Sequence, residues 1–229
     1  MSDVIILGRA AAYLTTSETF RGVLLASKEV RTEVLAHVEV VVLKSASEAA
    51  IAAVVACRQL TALELWECPR LIALPDWLGD CAALTTLHFR ECIGITALSE
   101  RLGDCAALTT MELVHCHSLT ALPERLGDCA ALMTLILMVC EGLTALPERL
   151  GNCAALTTLD LICCANLTAL PEGLGDCATL TELDLRGCSR LPSQLGVCER
   201  LEARGCGVLL GDYFDYDDEE DENDGGDWR

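Results

Sequence analysis

The chain has 229 residues, of which 52% are hydrophobic and 4% aromatic, so we expect a sizeable core built mainly from Leu, Ala and Val. The formal charge is −19, ten of the 35 acidic residues lie in the last eighteen positions, and Lys and Arg form no cluster. Nucleic acid is therefore excluded as a partner, because binding to phosphate backbones depends on clustered cations.

Export and membrane signals are absent from the composition. No apolar run approaches the ~20 residues that cross a bilayer. The opening MSDVIILGRAAAYL lacks the basic leader and apolar length of a signal peptide. We therefore expect a soluble protein of the cytoplasm or nucleus with no membrane partner. The fifteen cysteines are then expected as reduced thiols and not as a disulfide scaffold.

Residues 1–37 are predicted to form a small helical segment. Apolar side chains recur at helical spacing over residues 5–36, beginning with Ile6, Ala10 and Tyr13. The stretch T-T-S-E at Thr15 to Glu18 forms a capping box, which favours a helix start there. The simplest role for this segment is a cap that shields the apolar edge of the domain that follows.

The stretch AYLTTSETFRGVLLASKEVRTEVL resembles an F-box, through its Y-L pair and its later S-K-x-x-R. In that family a short helical module docks on the small adaptor subunit of a cullin-type ubiquitin ligase, and the resemblance implies that partner here. The residues that it assigns to adaptor docking are Tyr13, Leu14, Phe20, Leu24, Lys28 and Arg31. A plain helical cap and an F-box-like module both stay open.

Residues 38–59 are predicted to form one irregular coil ahead of a regular repeat. VEVVVL at 38–43 is short and β-branched, as in a strand. The capping box S-A-S-E at Ser45 to Glu48 then leads into an Ala-rich helix that ends near Gln59.

A 24-residue repeat governs residues 60–188, approximately, in six copies. Each copy opens with L-x-x-L-x-L-x-x-C, in which Phe89 and Met111 each replace one leucine, and continues with a stretch like L-x-x-L-P-E-R-L-G-D-C-A-A, seen in full at Leu119 to Ala131. A residue that recurs once per coil occupies one layer of a stacked core, so both cysteine series are predicted to be buried as small apolar side chains and not to bind metal. The first series is Cys68, Cys92, Cys116, Cys140, Cys164 and Cys188; the second is Cys57, Cys81, Cys105, Cys129, Cys153 and Cys177.

These motifs resemble leucine-rich repeats of the 24-residue kind, with LPxxLG in the variable half and Cys after the strand, as in plant intracellular immune receptors. The resemblance implies an α/β fold, a curved solenoid with a parallel β-sheet on the concave side and helical or irregular segments on the convex side. The residues agree independently. L-x-L alternation suits a strand with one buried face, and Pro123 and Gly127 can open and close a helical turn.

The repeat shortens after Cys188. Residues 189–210 keep the LP and LG-C landmarks in compressed form, which predicts a closing cap, so the repeat domain spans 38–210. Residues 211–229 are too acidic to fold alone and are predicted to be a disordered tail. That tail is either a solvated extension or a docking strip.

The positions between the leucines of each strand are predicted to form the binding surface. Coils three to five place apolar residues together there, rimmed by charge, which is typical of an interaction site. A contact with the chain's own tail or with a second copy is the alternative. The predicted partner-binding residues are Trp66, Arg90, Glu112, Val114, Ile136, Met138, Val139, Asp160, Ile162 and Arg186.

Motifs for catalysis are missing: no Gly-rich phosphate loop, G-x-S-x-G or H-E-x-x-H occurs. His88 and Glu112 are expected to pair across adjacent strands as a surface contact. His115 and His117 flank Cys116, which belongs to the buried series. We therefore predict a non-enzymatic protein–protein interaction scaffold without cofactor or metal, whose partner is a protein.

Overall fold

The computed structural model describes residues 3–7, 39–46, 51, 54, 59–192 and 196–213. These residues form a sheet of nine strands in chain order, in which β2 to β9 run parallel and β1 pairs antiparallel with β2. The predicted open solenoid, with its parallel sheet on the concave side, is confirmed. The strands are β1 Asp3–Leu7, β2 Val40–Lys44, β3 Ala62–Trp66, β4 Thr86–Arg90, β5 Thr110–Val114, β6 Thr134–Met138, β7 Thr158–Asp160, β8 Glu182–Asp184 and β9 Gly207–Leu209.

The first strand corrects the prediction of a helix from residue 5. Residues 5–7 belong to β1, whose DVIIL sequence pairs with VVVLK of β2. Consecutive β-branched residues favour a strand over a helix, and the exposed edge of β2 offers unpaired backbone groups to bond. The predicted adaptor-docking residues and most of the helix expected before Gln59 lie outside the described residues.

The strand register repeats the sequence period. Leu63 pairs with Leu87, and Leu65 with Phe89, each 24 positions along. Leucines of successive coils therefore stack in rows, and the buried cluster runs continuously from Val41 to Cys206. Among the described residues, no helix has the length and apolar character that a membrane crossing requires.

In the part of the chain that the structure describes, five short 3-10 helices lie on the convex side, one in each of five successive coils. Pro123 precedes one of them, where its missing N–H costs no hydrogen bond. Near the end of that helix, Gly127 lies so close to the next coil that a Cβ atom would overlap the backbone carbonyl of Arg149. The helices are η1 Asp76–Asp80, η2 Glu100–Asp104, η3 Glu124–Asp128, η4 Glu148–Asn152 and η5 Glu172–Asp176.

Both cysteine series are buried as predicted, apart from Cys57, which lies outside the described residues. The thiols also act as hydrogen-bond donors to the preceding coil. Cys164 Sγ donates to the Leu137 carbonyl at 2.9 Å, and Cys129 Sγ donates to the Leu102 carbonyl at 3.3 Å. Burial raises the pKa of Cys129 to about 12, so this thiol keeps its proton at neutral pH.

A row of alternating charges links the coils on the convex face. Arg125 bonds Asp104 of the preceding turn at 2.6 Å and Asp128 of its own turn at 3.2 Å. Arg101 repeats this arrangement with Asp80 and Asp104. Such exposed pairs each contribute little, but three successive coils contact the preceding coil in this way, through Arg101, Arg125 and Arg149.

The last coil ends in a different structure. Helix α1, Gly196–Glu202, takes the place of a 3-10 turn and packs against η5. Arg200 reaches back to the Glu172 carbonyl at 2.8 Å, and Arg204 to the Asp176 carbonyl at 2.9 Å. These arginines bond backbone carbonyls of η5 and so hold the last helix against it. The acidic residues after Tyr213 lie outside the described residues.

Candidate functional site

The concave face consists of the side chains of β3 to β8, and of the two residues after each strand, that point away from the core. Parallel pairing places equivalent residues side by side, about 4.8 Å apart. The row at the middle of the strands is Glu64, His88, Glu112, Ile136, Asp160 and Asp184. The next row along the chain is Trp66, Arg90, Val114, Met138, Ile162 and Arg186.

The apolar part of the concave face is smaller than predicted. Val114 is 5% exposed and Ile162 is 4% exposed, so the expectation that both present accessible surface is wrong. Both are nevertheless outside the core cluster. Ile136, Met138 and Val139 remain half-buried and form the accessible patch.

The ends of the face are more polar. Trp66 is 40% exposed, and Arg90 is exposed beside it. His88 Nε2 lies 3.8 Å from Glu112 Oε2, which confirms the expected contact between adjacent strands. Apart from the buried Val114 and Ile162, the predicted partner-binding residues are accessible on the same face, with half-exposed apolar side chains between charged ends.

A feature that the sequence did not reveal is a row of residues with positive φ directly after the strands. Val139 has a φ of 55° and His115 a φ of 56°. Each N–H there donates to the next coil, as Val139 does to the Ile162 carbonyl at 2.8 Å. A β-branched residue in this region is strained. The row consists of Ser45, Glu67, Glu91, His115, Val139, Cys163 and Gly187.

Strands β7 and β8 have three residues, whereas β3 to β6 have five, because an aspartate ends each of them. Asp160 accepts the N–H of Ile162 at 2.9 Å, and Asp184 accepts the N–H of Arg186 at 3.0 Å. Asp184 is 5% exposed and also binds the Arg186 guanidinium, at 2.6 Å to Nη2. The Arg186 guanidinium in turn lies 5.4 Å from the ring centre of Tyr213.

A groove of about 780 Å³ lies beyond the carboxyl ends of β2 to β5. Its walls combine carboxylates, imidazoles and the exposed side chain of Ile93. Cys116 is buried, whereas the flanking His115 and His117 rings line the groove with their centres 5.7 Å apart. The lining residues are Ser45, Ala46, Glu67, Pro69, Arg70, Glu91, Ile93, His115 and His117.

The groups on the concave face are arranged to bind another molecule. Across the described residues, no group of three or more His, Cys, Asp or Glu is arranged to hold a metal ion. The charged groups are dispersed along the rows of the sheet, where they can pair with groups on another molecule. The sheet is held by strand pairing and a continuous core, so the surface is formed before a partner binds.

Comparisons with known proteins agree with the architecture. No protein-family model matches the chain, and a search of curated proteins found no match. Among solved structures, the leucine-rich repeat domain of the type III effector XopL is 22% identical, with 69% of this chain and 70% of that one aligned and a TM-score of 0.37.

Two further structures are similar in the same way. A leucine-rich repeat protein of Leptospira interrogans is 19% identical over 69% of this chain and 50% of its own, with a TM-score of 0.44. Internalin C2 of Listeria monocytogenes is 15% identical over 90% of this chain and 94% of its own, with a TM-score of 0.46. These scores carry no argument about partners. The parallel strands, the 3-10 turns and the 24-residue register themselves show that this chain has the leucine-rich-repeat fold.

Proposed function

We propose that this chain is a non-enzymatic scaffold that recognises a protein partner through its concave face. The observation that carries the proposal is the half-exposed apolar patch of Ile136, Met138 and Val139, which the fold does not use in its core. Apolar side chains rimmed by charge on a rigid surface favour protein binding. A preformed sheet also loses little conformational entropy on binding.

Residue usage supports this role. The leucine and cysteine positions keep the same character in every coil, whereas the outward positions change from Glu to His, Ile and Asp. A surface that served the fold alone would need no such combination of apolar, acidic and basic groups. We infer that the outward positions were selected for a particular partner.

The test is a matched pair of variants. Met138→Asp places a charge in the patch, whereas Met133→Asp makes the same change at a 48% exposed position outside it. We expect both proteins to fold, as judged by circular dichroism. Met138→Asp should lose the partners that affinity purification recovers with the wild type, and Met133→Asp should keep them. Equal recovery with both variants would contradict the proposal.

A second candidate function is that of an F-box-type substrate adaptor of a cullin-type ubiquitin ligase. The sequence Y-L followed by S-K-x-x-R supports it, through Tyr13, Leu14, Lys28 and Arg31. In this case the amino-terminal segment should bind the ligase adaptor subunit. The double variant Leu14→Asp, Leu24→Asp should abolish that binding, and a pull-down that never recovers the adaptor subunit would exclude this function.

The cysteines support a location for either function. The buried thiols of the two series lie outside disulfides, and they donate hydrogen bonds as thiols. Thiols persist in reducing compartments. We therefore propose the cytoplasm or the nucleus, which fluorescence microscopy of the tagged chain would test.

A further inference from the structure

Asp160 differs from the other charged residues of the concave face because it is half-buried beside apolar side chains. It pairs in register with Ile136 on one side and Asp184 on the other. Its carboxylate accepts the N–H of Ile162, which is itself buried. Burial raises the pKa of this carboxyl, despite the hydrogen bond from Ile162 that lowers it. The charged form is therefore held in a poorly solvated position.

Asp184, the acidic residue in register with Asp160 on the next strand, has a cationic partner. Arg186 binds Asp184 through Nε at 3.0 Å and Nη2 at 2.6 Å, and Glu112 faces His88 at 3.8 Å. No ion pair is formed by Asp160 within the part of the chain that the structure describes. The Arg186 charge acts on this carboxylate only at longer range, and a half-buried carboxylate without an ion pair costs free energy, which a cation from outside would recover.

The nearest arginine is already engaged. The Arg186 guanidinium binds Asp184 through Nε and Nη2, and it lies over the ring of Tyr213. A turn towards Asp160 would leave Asp184, which is 5% exposed, as an unpaired buried charge. The chain therefore keeps Arg186 where it is, and Asp160 stays open to another molecule.

We infer, on the basis of the proposed function, that the partner presents a Lys or Arg side chain that pairs with Asp160, next to an apolar side chain that packs on Ile136 and Met138. Asp160 and Ile136 lie on adjacent strands, about 4.8 Å apart. An extended peptide rises about 3.3 Å per residue. Side chains one or two positions apart in such a peptide reach both sites.

Charge favours this occupant over the alternatives. The formal net charge of −19 attracts a basic segment and speeds its association. The chain's own tail is strongly acidic and repels this face. A second copy of the chain carries the same net negative charge.

The probe is a library of random peptides displayed on phage, selected on the full-length wild-type protein. We expect the enriched peptides to carry Lys or Arg within two positions of an apolar residue. Asp160→Asn should lower the affinity for these peptides at least tenfold. The variant should stay as stable as the wild type, because Asn can still accept the Ile162 N–H. The control Glu182→Gln removes a charge from an exposed position of the next strand and should change affinity less than twofold.

A double-mutant cycle then tests the contact itself. Replacing the peptide Arg by citrulline should lower its affinity for the wild type and leave its affinity for Asp160→Asn unchanged. If Met138→Asp abolishes binding but Asp160→Asn does not, the cation inference is wrong and the proposed function stands. If no peptide is enriched, or if Met138→Asp binds the peptides normally, the cation inference and the proposed function are both wrong. A wild-type dimer in sedimentation that Met138→Asp dissociates would replace the peptide by a second copy and overturn the inference.

Discussion

The convex and concave faces are built from the same coils, but residues repeat from coil to coil on the convex face and vary on the concave face. On the convex face the turns η2 and η3 have the identical sequence ERLGD, and the Arg of each turn bonds the Asp of its own turn and the Asp of the preceding turn. On the concave face, adjacent strands present Glu112, Ile136 and Asp160 at one position. Uniform residues mark contacts between coils, and variable residues mark positions that the fold leaves free.

The largest expected loss of stability tests whether close contact between the coils keeps the residues of the convex face uniform. Gly127→Ala would push a Cβ atom into the backbone of Arg149 and separate two coils. We expect a loss of about 3 kcal/mol or more in the free energy of unfolding. Gly173→Ala is the control, because its Cβ would meet nothing closer than 3.5 Å. Urea unfolding measures both, and equal stability would refute the close approach of the coils.

The cysteine rows provide the next test. Cys129→Ala removes the thiol that donates to Leu102 and leaves a small cavity, so we expect a loss of about 1–3 kcal/mol. Cys129→Ser keeps a donor at the same place and should lose less. If Ser is worse than Ala, the thiol acts only as an apolar filler. Chemical denaturation of the three proteins decides between these roles.

Val139 provides a test on the concave face, where backbone strain and partner binding meet at one residue. Its φ of 55° is unfavourable for a β-branched residue, whereas Asn tolerates that region. Val139→Asn should therefore raise the free energy of unfolding by about 1 kcal/mol. The same variant should weaken partner binding, because Val139 belongs to the apolar patch. A destabilised variant in thermal unfolding would show that packing of Val139 outweighs the strain.

The smallest effect concerns the charged row of the convex face. Arg125 contacts two aspartates, whereas Arg149 contacts only Asp128, since Asn152 replaces the next aspartate. Arg125→Ala should lower Tm by roughly 1–2 °C, more than Arg149→Ala does, and salt should shrink the difference. Calorimetry at low and high salt measures this. Identical shifts for the two variants would show that the contact with the aspartate of the same turn adds no stability.

The same row predicts a pH dependence. The hydrogen bonds from Arg125 and Arg101 hold the pKa of Asp104 below its ordinary value. The stabilisation is therefore complete above the ordinary carboxyl pKa and is lost as the pH falls through the lowered one. Asp104→Asn should remove this part of the acid sensitivity, as followed by unfolding at a series of acidic pH values. An unchanged profile would contradict the role of this contact.

The sequence predicted the repeating parts of the structure well. The 24-residue period alone predicted that Leu63, Leu87 and the two cysteine series lie in the core, because residues that recur once per coil stack in only one register. It did not predict the positive φ values after the strands, because Glu91, His115 and Val139 carry no glycine signal. The backbone geometry there is imposed by the hydrogen bond to the next coil.

The candidate site was predicted in outline only. The rows of outward residues follow from the alternation of leucines, but the burial of Val114 and Ile162 depends on which neighbours stand beside them. The strand β1 was missed although its β-branched residues indicated it, since a helical spacing from Ile6 onwards was given more weight. Pairing with β2 depends on residues far away in the chain, which a local pattern does not contain.

The shared register of β3 to β6 has a consequence for how such a chain can change in length. Each coil meets its neighbours through the same backbone bonds, offset by 24 residues. Inserting or deleting one whole unit would therefore leave every remaining junction intact and lengthen or shorten the recognition surface by one row. A deletion of 23 residues would instead turn inward-facing leucines outward. The chain is thus divided into interchangeable modules, and its reach is adjustable in whole steps.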